Sequence, residues 1–485
     1  MYLGIDIGTS SVKAVIVDDA QNIVAESSMP LSVSRPQHLW SEQDPADWWE
    51  ACCKAVKALD AHMRSGIKAI GLSGQMHGAT CLGANDKVLR PAILWNDGRS
   101  AAQCKQMMTA MPELAQITGN LAMPGFTAPK LQWMAAHEPD VFKAVEKVLL
   151  PKDYIRLKMC GVYASDMSDS AGTLWMDVAA RDWSDDVLSL TGLARSHMPE
   201  LCEGSESTGL LRQDIAQDWG MGAVPVAGGG GDNAAGAVGS GTIAKGEGFL
   251  SLGTSGVIFI ADDTCRPNPE RAVHTFCHAL PELWHQMSVI LSAASAVDFA
   301  ARIMNFDSPA QLYELAQNAN QRGEGALFLP YLSGERTPHN NPDAKGAFFG
   351  LTHEDTRETI AQAVLEGVAF ALADGVEALR DGGADIQALS VIGGGARSLY
   401  WGGILSAAFG CTLHYRQGGT VGPAFGAARL ARLCLGEARA ADICTPPPIE
   451  RSLEPDAELQ AHYAQRRETF QNLYKSNFEH MKDTV

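Results

Sequence analysis

Two short runs of apolar, β-branched residues open the chain, residues 2–7 and 12–17. The glycine-bearing turn Gly8-Thr9-Ser10-Ser11 separates them, which predicts a β-hairpin. An extended stretch near residues 29–33 precedes Asp44-Pro45, an N-cap residue followed by proline at a first helical position, so a helix is expected over residues 48–59. Residues 67–72 return to a strand. The order strand, strand, strand, helix, strand is that of a mixed α/β domain.

Near the middle of the chain the opening pattern recurs. Residues 250–252 and 257–260 flank Gly253-Thr254-Ser255-Gly256, and the second run ends in Asp262-Asp263 as the first ends in Asp18-Asp19. Gly253, Thr254, Ser255 and Val257 follow Gly8, Thr9, Ser10 and Val12 at a constant 245 positions, about half of the 485 residues. An internal duplication is the reading, with domains over residues 1–244 and 245–485 and a cleft between them for a ligand. Residues 456–480 read as a solvated packing helix of mixed charge, preceded by the linker Thr445-Pro446-Pro447-Pro448.

Composition narrows the function classes. The length exceeds what one core usually supports, and 46% apolar with 19% charged residues predicts a soluble globular protein. A net charge of -18 disfavours nucleic acid, and an anionic small substrate would need a metal ion or local amides. The eleven cysteines show no CxxC spacing, which points to a reducing cytoplasm rather than a disulfide framework. No basic leader and no run of eighteen apolar residues is seen, so no membrane partner is expected.

Gly-Thr-Ser after a strand suits a phosphate through its close-approaching backbone and hydroxyls, and it equally suits a plain tight turn. Asp6 precedes the first copy and would need Mg²⁺ between it and phosphates, whereas Ser251 precedes the second. In VPVAGGGGDNAAGAVGSG, Asp232 reads either as an N-cap or as a general base on a loop stripped of side chains, with Asn233 beside it. Gly229, Gly231 and Ala234 also fit a dinucleotide fingerprint with Asp262 downstream, but a hairpin follows where a second crossover is required, which disfavours nicotinamide. The phrase LSVIGGGARSLYWGGI predicts a strand over 389–392, a glycine loop and a helix start, an arrangement that serves either a nucleotide or close helix–sheet packing. No GxxxxGK[ST] occurs. In AIGLSGQMHGATCL, Ser73, Gln75 and His77 are expected to alternate onto one side of a strand, which would suit a polyol. His274, Cys277 and His278 suggest a metal, but third and fourth ligands are not evident.

Taken together, GIDIGTSSVK, WSEQDPADWW, GLSGQMHGAT, ILWNDGRS, ITGNLAMPGFTAPKLQW, GGGDNAAGAVG, SLGTSGV, LPYLSGERTPHNNPDAKGAFFGL and IGGGARSLYW resemble the FGGY carbohydrate kinases, essentially from Met1 to the last helix. QMHG with SGERTPH sets the chain apart from the glycerol kinase-like members. The resemblance implies an α/β fold of duplicated ribonuclease-H-like domains of the actin/hexokinase type, with an interdomain cleft. It implies ATP and Mg²⁺, with Asp6 at the metal directly or through water, Thr9 and Ser10 at the phosphates, and Gly253 and Thr254 closing from the other domain. Gly394, Gly395 and Ala396 match the loop against the nucleotide, Asp232 the proton acceptor, Met76 and His77 the pair touching the sugar, and Asn233 a substrate neighbour. Gly125 stands where glycerol kinases carry a tyrosine, leaving room for a longer substrate. One departure is Thr359, where most members place Asn, Asp, Glu, Gln or His; it reads as the start and cap of a helix. The implied activity is ATP-dependent phosphorylation of a ketopentose, foremost D-xylulose to D-xylulose 5-phosphate, with L-xylulose, D-ribulose and 1-deoxyxylulose as alternatives. An actin-like ATPase is the rival on the same fold, and a homodimer is left open.

Overall fold

The computed structural model describes residues 1–319, 325–417 and 422–482. The opening hairpin forms from β1 (Tyr2–Ile7) and β2 (Ser11–Val17), and β3 (Ile23–Pro30) continues it antiparallel. The helix announced by Asp44-Pro45 is α1 (Pro45–Ala58), and the Asp44 side chain accepts from the Ala46 amide. The chain then crosses over to β4 (Ala69–Gly74), which runs parallel to β1. Later come α2 (Thr127–His137), α3 (Pro151–Cys160) and α4 (Met167–Ala171). The strands β5 (Ser207–Leu210), β6 (Pro225–Ala227) and β7 (Gly230–Gly231) complete a sheet of order β5-β6-β4-β1-β2-β3, with β7 pairing on β4. Helix α5 (Asp232–Ser240) follows at once.

The second half repeats this plan. Strands β8 (Gly248–Leu252) and β9 (Gly256–Asp262) form the second hairpin, with β10 (His274–Cys277) and β11 (Trp284–Ile290) beyond it. Helices α6 (Ala294–Ile303) and α7 (Arg357–Asp381) lead to β12 (Ala388–Ile392), which is parallel to β8. Then follow α8 (Leu399–Phe409), β13 (Thr412–Arg416), α9 (Pro423–Leu433), β14 (Ile449–Leu453) and α10 (Ala457–Lys482). The sheet order β10-β11-β9-β8-β12-β13-β14 reproduces the first sheet strand for strand and direction for direction, with β10 added at one edge. The duplication read from four residues is therefore present in the topology.

Three sequence expectations change in detail. Helix α7 is long and apolar enough to cross a membrane by composition, with mean hydropathy 1.4, but 89% of that window is buried as the central core helix of the second half. Its cap is Thr356, not Thr359: the Thr356 hydroxyl accepts from the Thr359 amide while the Thr359 hydroxyl accepts from the Thr356 amide, a reciprocal capping box. Helix α10 is less solvated than its charges suggest, because Tyr463 and Phe470 are fully buried and Arg467 reaches Asp374 at 2.8 Å.

Helix α9 belongs to the second half by sequence yet packs on the first sheet. Ala424, Phe425, Ala428 and Ala431 bury against Tyr2, Val15, Val17 and Ala69. The approach is possible because Gly4 and Gly71 lack side chains: a Cβ on either would lie 1.9 Å from a carbonyl oxygen of α9. Helix α9 also crosses α5, where a Cβ on Gly426 would meet the Ala235 carbonyl oxygen at 1.7 Å. Buried Arg429 of α9 donates to the Val238 and Gly239 carbonyls at 2.9 and 3.0 Å, satisfying the C-terminal end of α5.

Gly426→Ala is therefore expected to destabilise the protein by about 1–3 kcal/mol or more through overpacking. Gly236→Ala on α5, where an added Cβ has nothing within 4 Å, should be neutral or stabilising by up to about 1 kcal/mol. Urea denaturation of both variants checks the contrast.

Candidate active site

Asp6 lies on β1, paired with Ser73 of β4 on one side and Lys13 of β2 on the other. Its Oδ1 is buried without a hydrogen-bond partner among the described residues. Burial, and next the charge of Asp232, push its carboxyl up to about 7, and the Ser73 hydroxyl and then Lys13 only partly oppose this. Asp6 and Asp232 are thus neighbours, brought together because β7 pairs alongside β4 and ends where α5 begins.

Asp232 is not an N-cap. Gly231 holds that place, and Asp232 is the first helical residue, its Oδ1 accepting from the Asn233 amide at 2.7 Å and from Asn233 Nδ2 at 3.0 Å. Burial raises the Asp232 carboxyl to about 6 against those two bonds. The glycines before it are required by close approach: Gly229 has φ +80° and would place a Cβ 2.1 Å from the Leu72 carbonyl oxygen, while a Cβ on Gly231 would meet Met76 at 2.9 Å. Met76 thus seals one wall beside Asp232.

The strand ends at Gly74, so the alternation predicted through Ser73, Gln75 and His77 stops before Gln75, and His77 is left-handed with φ +68°. Gln75 turns instead to Thr9, whose hydroxyl donates to Gln75 Oε1 at 2.9 Å, and to Gln43, whose Oε1 accepts from Gln75 Nε2 at 2.8 Å. Two side chains missed by sequence reasoning hold the strained turn: Lys130 Nζ and Thr127 Oγ1 donate to the His77 carbonyl at 2.9 and 3.1 Å. Burial pushes the Lys130 ammonium down to about 7. A lysine inside the apolar face of GFTAPKLQW was the available signal. His77 itself is pushed down to about 3, by burial and then by Lys130, so it is neutral. Its Nδ1 lies 2.5 Å from the Gly172 carbonyl, which only accepts, so Nδ1 carries the proton and Nε2 is left as an acceptor for an alcohol. Phe126 and Phe276, one from each half of the chain, crowd the imidazole, and His274 packs on both of these rings.

The Thr9 hydroxyl, expected at phosphates, is engaged, because it also accepts from Trp95 Nε1 at 3.0 Å. The first turn thus presents its backbone and the exposed Ser10. In the second turn the carbonyls of Gly253 and Thr254 accept from the amides of Ala294 and Ala293, both at 3.0 Å, which locks that turn to the start of α6. After β12 the chain makes a short 3-10 turn, Gly394–Arg397, and only then does Ser398 cap α8. The glycine loop is therefore separated from the helix start. Gly394 is exposed with nothing within 4 Å of a would-be Cβ, and Gly395 packs on Leu252 and Trp401. Gly125 is also required by its packing, since a Cβ there would lie 2.5 Å from the Trp95 carbonyl oxygen.

His274, Cys277 and His278 do not form a metal centre, and no such cluster occurs among the described residues. His274 Nε2 faces Arg336 Nη1 at 3.3 Å and must accept, which makes its Nδ1 the donor to Asn120 Oδ1 at 2.9 Å. His278 Nε2 bonds the Thr242 carbonyl at 3.1 Å, and the Cys277 thiol lies against the Val178 carbonyl. A cavity of about 370 Å³ lined by Lys245, Ser390, His414 and Arg416 includes none of the predicted site residues.

Two topologically equivalent sheets, each with a Gly-Thr turn between its first two strands, and paired carboxylates at the end of one define a two-domain α/β enzyme of the actin/hexokinase type. Residues 1–239 match the N-terminal domain, and residues 248–433 the C-terminal domain, of the FGGY family of carbohydrate kinases. The chain belongs to that family and is a carbohydrate kinase. It is 54% identical over 477 residues to the xylulose kinase of Escherichia coli (strain K12), covering 98% of this chain and 99% of that protein. The xylulose kinase of Bacillus subtilis (strain 168) is 34% identical over 489 residues, covering 99% of this chain and 97% of that one. Among solved structures, a xyloylose kinase from Brucella ovis superposes with a TM-score of 0.96 at 50% identity, covering 99% of both chains. Plasmodium falciparum glycerol kinase with ADP shares the fold with a TM-score of 0.86 at 20% identity, covering 99% of this chain and 97% of that one.

Asp6 has a folded pKa raised from 3.8 to about 7, so the native state holds a proton that the unfolded chain has lost, and stability falls as pH rises through that window. Asp6→Asn is expected to raise the Tm of the metal-free protein by about 2–4 °C at pH 8 and to leave it unchanged at pH 4. Scanning calorimetry at the two pH values reads the difference.

Proposed function

We propose that the protein transfers the γ-phosphoryl group of ATP to the terminal hydroxyl of D-xylulose, giving D-xylulose 5-phosphate and ADP. The observation that carries this reading is the pairing of two desolvated carboxylates, Asp6 and Asp232, beside a neutral histidine that offers a lone pair to an alcohol. The xylulose kinases of Escherichia coli and Bacillus subtilis, to which the chain is similar, agree with the sugar. Eleven free thiols suit a reducing cytoplasm where ATP is available. We place the domain division near residue 244, in the connection between α5 and β8.

Asp232 accepts a hydrogen bond from the attacking hydroxyl and aligns it. It takes the proton late in the transfer, because a carboxylate with a pKa of about 6 is too weak to ionise a sugar alcohol beforehand. The O–H bond of the sugar and the bond from the γ-phosphorus to its bridging oxygen break, a new P–O bond forms, and the proton passes through Asp232 to solvent. His77 Nε2 and the Asn233 amide orient the remaining hydroxyls. The orphaned Oδ1 of Asp6 fits Mg²⁺, directly or through water, and Mg²⁺ would neutralise phosphate charge there. Backbone at Thr9, Ser10, Gly253 and Thr254 grips the phosphates, and Gly394, Gly395 and Ala396 lie against the nucleotide.

Because Asp232 acts ionised, kcat should fall tenfold per pH unit below about pH 6. Asp232→Asn is expected to lower sugar-dependent ADP release by about 10²–10⁴-fold with the KM for ATP unchanged. A coupled assay over D-xylulose, L-xylulose, D-ribulose and 1-deoxyxylulose tests the sugar; ADP release indifferent to every pentulose would instead support the ATPase reading.

A further inference from the structure

Beneath the glycine loop lies a cluster of charges that the reaction above does not use. Lys152, Asp153 and Arg156 of α3, with Asp166 and Asp169 at α4, are all completely buried. Lys152 Nζ reaches Asp153 at 2.6 Å, Asp166 at 2.8 Å and Asp169 at 3.2 Å. Burial pushes the Asp169 carboxyl well up, against the opposing charge of Lys152. Such clusters cost desolvation that apolar residues would avoid, so stability alone does not account for one.

The cluster's outward bonds all end on the segment that delivers Asp232. Arg156 Nη1 donates to the Ala227 carbonyl at 2.7 Å, and Nη2 donates to the Gly228 carbonyl. Arg156 Nη1 also donates to Thr208 Oγ1, which in turn donates to the Val226 carbonyl at 2.9 Å. Asp166 accepts from the Ser168 amide at 2.8 Å and from the Ser168 hydroxyl. That hydroxyl accepts the Gly231 amide at 3.1 Å, one peptide before Asp232. The four glycines 228–231 have no side chains by which to be held, so their conformation must be imposed through backbone atoms.

We propose that Lys152, Arg156, Asp166 and Ser168 form a positioning frame that aims Asp232 by fixing the peptides of residues 226–231. The proposal deepens the reading of Asp232 as the base. Lys152 fixes Asp166, Asp166 fixes the Ser168 hydroxyl, and Ser168 fixes the Gly231 peptide whose φ and ψ, -56° and 152°, set the entry into α5. None of these residues touches the sugar in this account; they act through Asp232.

The test is a double-mutant cycle of Ser168→Ala with Asp232→Asn, read as sugar-dependent ADP release. Ser168→Ala alone is expected to lower kcat about 10–100-fold, the scale of a small misplacement, with the KM for ATP unchanged. In the Asp232→Asn background it should cause no further loss, because an aim that has lost its carboxylate no longer matters. Ser168→Cys, which keeps a weak hydrogen-bonding group of similar size, should recover part of kcat and serves if the alanine variant does not fold. Turnover within twofold of the parent, or equal fold losses in both backgrounds, would overturn the frame while leaving Asp232 as base. Full turnover in Asp232→Asn itself would overturn the base assignment and the frame's purpose with it.

Discussion

The crossing of α5 and α9 is the constraint on which the rest of the molecule depends. Helix α5 carries Asp232 at its first residue, and α9 lies on the sheet that carries Asp6. The two helices approach to backbone contact because Gly426 faces the Ala235 carbonyl and Gly239 faces Gly422. A larger side chain at the crossing would separate the helices and, with them, the two acids. Arg429 fastens the same crossing by capping α5 from α9. The sequence separation of the two elements is thus closed by an interface in which glycines let the backbones meet and one guanidinium ties them together. Dispersion contacts there are numerous and polar ends are satisfied, so the acids are placed by packing rather than by any attraction between them.

Electrostatics explain why the acids need that mechanical support. Burial raises the pKa of both Asp6 and Asp232, and the like charge of Asp232 adds to the rise at Asp6. The Lys152 cluster is the opposite case: it is fully buried, and its carboxyl groups meet cations within 3.2 Å. One buried acidic group is left short of charge and the neighbouring one is balanced. That contrast separates a site built to receive a cation from a framework that is complete without one.

Much of the fold was legible because its signals are local. Asp44-Pro45 fixes a helix start, glycine turns fix both hairpins, and repetition of Gly-Thr-Ser at one offset exposed a duplication that the strand order reproduces. Local signals also account for the misplacements. Thr356 and Thr359 are both competent caps, and only the reciprocal geometry shows that Thr359 serves from the third helical position. Ser73, Gln75 and His77 carry a strand's alternation, but Lys130 and Thr127 pull the His77 carbonyl into a left-handed turn from 50 or more positions away. Likewise α9 reads as part of the second domain and settles on the first sheet, because the vacancies at Gly4 and Gly71 that admit it belong to distant strands. What a single sequence could not disclose is long-range: which buried lysine meets which carbonyl.

The site's protonation states follow from the same burial and all point to a neutral, hydroxylated acceptor. Removing water makes an imidazolium costly, so His77 and His274 stay neutral, and their bonded carbonyl and amide oxygens fix Nδ1 as the protonated nitrogen. A neutral imidazole presents one lone pair and no charge, which suits an alcohol and gives an anionic group no counter-charge. Burial raises the carboxylates but leaves Asp232 largely ionised near neutrality, since its two bonds from Asn233 offset part of the cost. One physical cause, exclusion of water, therefore yields an acceptor nitrogen for a hydroxyl and an acceptor carboxylate for its proton. Had Asn233 been apolar, Asp232 would have lost the Nδ2 bond while keeping the backbone amide, and the same burial would have carried it further toward the protonated form; the residue beside the aspartate is as much a part of its chemistry as the loop that presents it.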